Sequence, residues 1–172
     1  RQELPLRQGQ RPRFVDPYKL GVAKADRNSE MWSRVLTDTA YRERAARIWG
    51  PLLSPPPGAP PPPPPPVVIA GVARDIAAIR ARGGDVVFVM HPQAGFLAEW
   101  EKKLPRPVFW DALLAGTQSA GVNYQDYPQL QGFRIPELSH MHPRDAEVYT
   151  ARLSALVDAA RKAKAAERAK AG

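Results

Sequence analysis

The chain has 172 residues, of which 44% are hydrophobic and 24% charged, enough apolar content to fill one ordinary domain or two very small ones and to argue against global disorder. It contains no cysteine, which excludes a disulfide framework, thiolate zinc sites and a cysteine nucleophile without fixing a compartment. Its net charge of +8 sits mostly at the ends: residues 1–14 hold four arginines against one glutamate, and 161–172 hold five basic residues against one glutamate. The stretch between them has sixteen basic and fifteen acidic residues, so no specific nucleic-acid face is expected, only nonspecific phosphate attraction. No apolar run approaches the ~20 residues that span a bilayer, and no signal peptide is visible.

Residues 1–28 are polar and proline-punctuated, which reads as an irregular basic arm. Residues 29–53 read as a helical segment. Ser29 is its N-cap, Met31, Trp32, Val35, Leu36, Thr39 and Ile48 share one face, and Gly50-Pro51 stop it. Residues 54–66 contain ten prolines in thirteen positions. Without N–H groups they must be extended and polyproline-like, either a surface loop or linker, or a ligand for a proline-recognising module.

Val67–Arg82 reads as a helix with Val68, Val72, Ile76 and Ile79 on one side, closed by Gly83-Gly84. Asp85–Met90 follows as a strand expected to be buried on both faces. Helices are expected over 95–103 and 107–120, and a short strand over 122–124. Helix, glycine turn, buried strand and polar loop together make an α/β rhythm. Pro143 suits the first position of a last helix, with Asp145 and Glu147 in its first turn and an apolar stripe through Ala146, Tyr149, Leu153, Leu156, Val157 and Ala160. Residues 161–172 read as a basic, solvated or frayed helical tail.

The only histidines are His91, His140 and His142. In Glu137-Leu-Ser-His140, a carboxylate three residues ahead of an imidazole in a turn can take the Nδ1 proton and leave Nε2 to accept one from a hydroxyl. The plainer alternative makes Glu137 a solvated turn residue and His140 part of the helix cap. His91 follows the strand, where α/β folds gather ligands, and either contacts substrate or simply ends the strand beside Pro92. His140 and His142 stand only two apart, so no metal site is expected. The four tryptophans, Trp32, Trp49, Trp100 and Trp110, read as core or interface anchors.

The block from Ile135 to Leu153, Ile-Pro-Glu-Leu-Ser-His-Met-His-Pro-Arg-Asp-Ala-Glu-Val-Tyr-Thr-Ala-Arg-Leu, resembles the last sequence block of SGNH (GDSL-type) hydrolases, and most of all the branch with cell-envelope O-acyltransferases. His140, Ala146 and Tyr149-Thr150 match that pattern, and the order of elements from residue 67 onward is similar. Glu137 stands where aspartate is usual, His142 replaces an asparagine and Asp145 a glycine.

The resemblance implies a flavodoxin-like three-layer α/β domain, with residues 67–160 as its C-terminal half. His140 would be general base and Glu137 its orienter. The implied substrate is an acylated small molecule or polysaccharide, with no cofactor, and the implied location is the cell envelope or periplasm. The family's Gly-Asp-Ser-like nucleophile block has no counterpart here. Ser29, Ser33, Ser54, Ser119, Ser139 and Ser154 all have plainer readings as caps, helix surface, loop or turn. The chain is therefore expected to be part of a longer protein, inactive alone, with an N-terminal part of the same protein as partner and an exposed sheet edge where that part docks. Two rivals stand beside this: a non-catalytic relative serving as a binding or scaffolding domain, and a partner-binding protein acting through 1–14, 54–66 and 161–172.

Overall fold

The computed structural model describes residues 19–53 and 58–171. The chain divides into two compact units, one up to Pro55 and one from Pro56 onward, each described by itself. Among the described residues the fold is mixed α/β, with six α-helices and two small two-stranded sheets, one of them parallel.

The first unit opens with a hairpin, not the irregular arm expected up to residue 28. Strand β1 (Gly21–Ala23) runs antiparallel to β2 (Ser29–Met31), with Val22 opposite Glu30. The turn works without glycine because the Asp26 carboxylate accepts from the Asn28 backbone N–H at 3.0 Å and its side-chain amide at 2.9 Å, and Arg27 takes a left-handed φ of 69°. Ser29 is therefore a strand residue and caps nothing.

Helix begins instead at Ser33. α1 (Ser33–Thr37) ends at the extended Asp38, whose Oδ1 accepts from the Tyr41 N–H at 2.9 Å and so caps α2 (Thr39–Leu53). α2 continues through Gly50 and Pro51, which the sequence suggested would stop it. Val35 and Ala45 form the buried centre, and Trp32 meets Tyr41 edge-on at 5.5 Å.

Of the proline run, Ser54–Pro57 lies outside the described residues, and 58–64 are exposed and neither helical nor stranded. Pro64 has polyproline dihedrals (φ −57°, ψ 145°), and Pro65 already starts α3 (Pro65–Arg80). The last two prolines thus belong to the helix, because first-turn N–H groups have no intrahelical partner to lose.

After α3 the chain turns at Gly83 (φ 81°) into β3 (Val87–Met90). β3 pairs in parallel with β4 (Ala120–Asn123), Val87 opposite Ala120 and Met90 opposite Asn123. Between them lie α4 (Gly95–Glu101), a π-helical turn (Pro107–Asp111) and α5 (Ala112–Thr117). α5 closes at Gln118 in the left-handed region (φ 52°), so β4 starts two residues before the strand expected from Val122. A Cβ at Gly121 would stand 2.7 Å from Leu114 and 2.8 Å from Trp110, so only glycine permits this approach of β4 to α5 and the π turn. β3 is half-buried along its length and not covered on both faces as expected. Each strand of the pair has one neighbour among the described residues, which leave both outer edges open.

α6 (Pro143–Ala171) packs across β4 and β3. Val122, Leu130 and Tyr149 form the buried centre, enclosed by Tyr127, Phe133, Leu153 and Leu156 among others. Trp110 is buried, but Trp100 is 42% exposed and edge-on to Phe96, so it anchors no core; the Trp49 side chain lies outside the described residues. No described helix is long and apolar enough to cross a membrane.

The basic tail stays helical and is tethered. Arg168 places both terminal guanidinium nitrogens on the Asp85 carboxylate (2.5 and 3.2 Å), and Arg80 adds a third bond at 3.2 Å. Arg80 also reaches the carbonyls of Thr117 and Gln118 and the hydroxyl of Ser119. One cation thus closes α5, and one carboxylate joins the start of β3 to the end of α6. Chiefly through the Arg168 hydrogen bonds, the Asp85 carboxyl is pulled down to about 2. A lowered carboxyl pKa contributes stability above its unfolded value of ~3.9 and loses it as pH falls through the folded one. We expect Asp85→Asn to lower the urea midpoint at pH 6, with the gap from the parent closing between about pH 4 and pH 2. A pH-independent gap contradicts this.

Candidate functional site

The segment before α6 is built as a tight turn pinned at both ends. The Glu137 carbonyl accepts from the His140 N–H at 2.8 Å, and Leu138 takes a positive φ of 30°. The Leu138 carbonyl accepts from the Ala94 N–H at 2.7 Å, and its side chain lies on Gly95, where a Cβ would stand 2.8 Å away. The turn is therefore docked on the loop that leaves the carboxyl end of β3. Downstream, the His142 N–H bonds the Arg134 carbonyl at 2.9 Å. The Arg134 backbone N–H and guanidinium take the Asp145 carboxylate at 2.6–2.9 Å, which holds the Asp145 carboxyl far below the usual carboxylate range. The first turn of α6 and the histidine turn are thereby one clamped unit.

Within the clamp Glu137 is 1% exposed, so it is not the solvated turn residue of the plainer reading. Its Oε2 contacts His140 Nδ1, and its Oε1 is buried with no hydrogen-bond partner among the described residues. A carboxylate taken out of water this completely is tolerable only beside a donor or cation, and His140 is the group that supplies it. The imidazole is half-exposed, at 50% of its side-chain surface. The Glu137 hydrogen bond, aided by its charge and opposed by partial burial, raises the His140 pKa above the usual histidine value. Neutral His140 then carries its proton on Nδ1, toward Glu137, and its lone pair on Nε2.

Each other candidate has its own partner. His91 Nδ1 lies 3.0 Å from the Tyr149 hydroxyl, with ring centroids 5.6 Å apart, and burial lowers its pKa. His142 Nδ1 faces the Arg134 guanidinium at 3.3 Å, a cation that a metal would have to displace. The three imidazoles thus engage three different groups, and no set of three or more metal-ligating side chains comes together among the described residues.

Ser139 Oγ stands 3.4 Å from His140 Nδ1, on the side already taken by Glu137, and Ser119 is bound to Arg80. Ser29, Ser33 and Ser154 are in β2, α1 and α6, while Ser54 lies outside the described residues.

Sequence reasoning missed two pairings, Tyr149 with His91 and Arg134 with Asp145. Tyr149 reads as one more apolar stripe position, and only its hydroxyl could have hinted at a polar partner. Arg134 and Asp145 are eleven residues apart, a spacing that no local rule connects. Comparison with family models, curated proteins and solved structures finds no match to this chain.

Proposed function

We propose that this chain supplies the general base of a flavodoxin-like SGNH-type esterase or O-acyltransferase, acting on an ester-linked acyl group of a small molecule or envelope polysaccharide. His140 Nε2 accepts the proton of an attacking hydroxyl and later returns it to the leaving alkoxide. Glu137 holds the ring by Nδ1–H and stabilises the imidazolium formed between those steps. The serine nucleophile comes from a further segment of the same protein. No cofactor is needed, since the nucleophile is a hydroxyl activated by a base. The observation that carries the reading is the buried Glu137 carboxylate held against the Nδ1 of a half-exposed imidazole. Its support from the fold is the Ala94–Leu138 hydrogen bond, which ties that imidazole's turn to the carboxyl end of a parallel strand, where open α/β sheets bind ligands.

p-Nitrophenyl acetate tests both halves of the proposal. In a single turnover, the His140 Nε2 lone pair attacks the acetyl carbon, p-nitrophenolate leaves and the Nδ1 proton moves toward Glu137. Acetylation of His140 is expected to outpace that of His142 and to slow in Glu137→Gln, with no serine labelled by a fluorophosphonate. Equal reactivity of the parent and Glu137→Gln overturns the steered base. Sustained turnover with a labelled serine overturns the assignment of the nucleophile to another segment.

A further inference from the structure

Tyr149 sits at the centre of the second unit's core, 4% exposed, with its ring edge-on to Phe133 at 5.3 Å. Its hydroxyl has one hydrogen-bond partner among the described residues, His91 Nδ1. Burial raises the phenol's pKa, so Tyr149 keeps its proton at neutral pH, and a buried O–H left without an acceptor costs free energy. The acceptor on offer is the Nδ1 lone pair. The opposite tautomer, with the proton on Nδ1, would aim an N–H at the phenol oxygen and leave the phenol's own proton with nowhere to go. The geometry therefore selects a neutral His91 whose proton is on Nε2.

We propose that Tyr149 fixes His91 as the Nε2–H tautomer, and that His91 offers this N–H as a hydrogen-bond donor to the acyl oxygen of an ester substrate. His91 directly follows Met90, the last residue of β3, and the exposed residue meets solvent where the strand ends. Three residues later the Ala94 N–H binds the Leu138 carbonyl, inside the turn that carries His140. Two imidazoles of opposite polarity thus serve one end of the strand. Glu137 turns His140 into an acceptor at Nε2, while Tyr149 turns His91 into a donor at Nε2. Burial lowers the His91 pKa and so keeps that ring neutral, the state in which Nε2 carries its only proton. The ester assignment rests on the acyl-transfer reading above; the tautomer does not. Tyr149 is a positioning residue, because it acts through His91.

The test uses the full chain labelled with ¹⁵N at neutral pH, with His91 resonances identified by His91→Gln and the tautomer read from long-range ¹H–¹⁵N correlations. Expected are a pyridine-like Nδ1 and a protonated Nε2 at His91, a mixture of tautomers in Tyr149→Phe, and movement of the His91 Nε2 resonance on titration with triacetin, a soluble small ester. An Nδ1–H or averaged His91 in the unsubstituted protein overturns the proposal whatever becomes of the acyl reading. Triacetin moving His140 alone overturns the role of His91 and leaves the base intact. Triacetin moving neither histidine overturns both.

Discussion

Replacing His140 with alanine is expected to destabilise the second unit by about 1–3 kcal/mol, although the side chain removed is half-exposed. The loss comes from what remains. Glu137 stays buried, its Oε1 already lacks a partner among the described residues, and its Oε2 loses the donor it had. The double variant Glu137→Met/His140→Ala should recover most of that loss, because replacing both partners with apolar groups leaves nothing polar stranded.

The pH dependence has a definite sign. A histidine whose pKa is raised on folding contributes stability that is fully present below its unfolded value of ~6.5 and is lost as pH rises through the folded value. The urea midpoint of the parent minus that of Glu137→Met should therefore shrink from pH 6 to pH 9. Taking the difference cancels the opposite contribution of His91, which both proteins share. Additive single-variant losses, or a pH-independent difference, contradict the coupling.

Leu130→Ala should cost more, about 2–5 kcal/mol, since its side chain is fully buried and the space around it is walled by Val122 and Tyr149. Small domains hold only some 5–15 kcal/mol in total, so this one truncation consumes a large fraction. The cavity would open beneath Tyr149, and the hydroxyl that engages His91 would lose its fixed position with it. A calorimetric or urea-unfolding loss below about 1 kcal/mol contradicts the placement of Leu130 at the centre of this core.

α3, β3 and α6 were legible because each carries a strong local signal: a helical apolar stripe, an apolar run of valine, phenylalanine and methionine between glycines and histidine, and a proline at the first helical position. Gly83 marked its turn for the same reason. The hairpin over 21–31 was not legible, since its strands are three residues long and its turn is made by an Asp26 side chain in place of glycine. The single helical segment of 29–53 is two helices because Asp38 leaves helical geometry to cap the second, a choice that periodicity does not register.

In the site, the Glu137–His140 spacing could be read from four consecutive residues. What holds it could not: the Ala94–Leu138 bond joins residues 44 apart, and Arg134–Asp145 depends on how the last loop returns to α6. Tyr149 lay in plain view as part of a stripe, but its partner is 58 residues away.

The His140 imidazole itself decides whether the carboxylate steers it, when followed by NMR across pH 5–9 in the parent and in Glu137→Gln. We expect a far-downfield Nδ1 proton and a titration midpoint above the ~6.5 of an unperturbed histidine. Both should be lost in the variant, where the ring returns toward ordinary behaviour. A midpoint at or below that value in the parent, unchanged when Glu137 becomes glutamine, would mean that the two side chains are neighbours without being coupled.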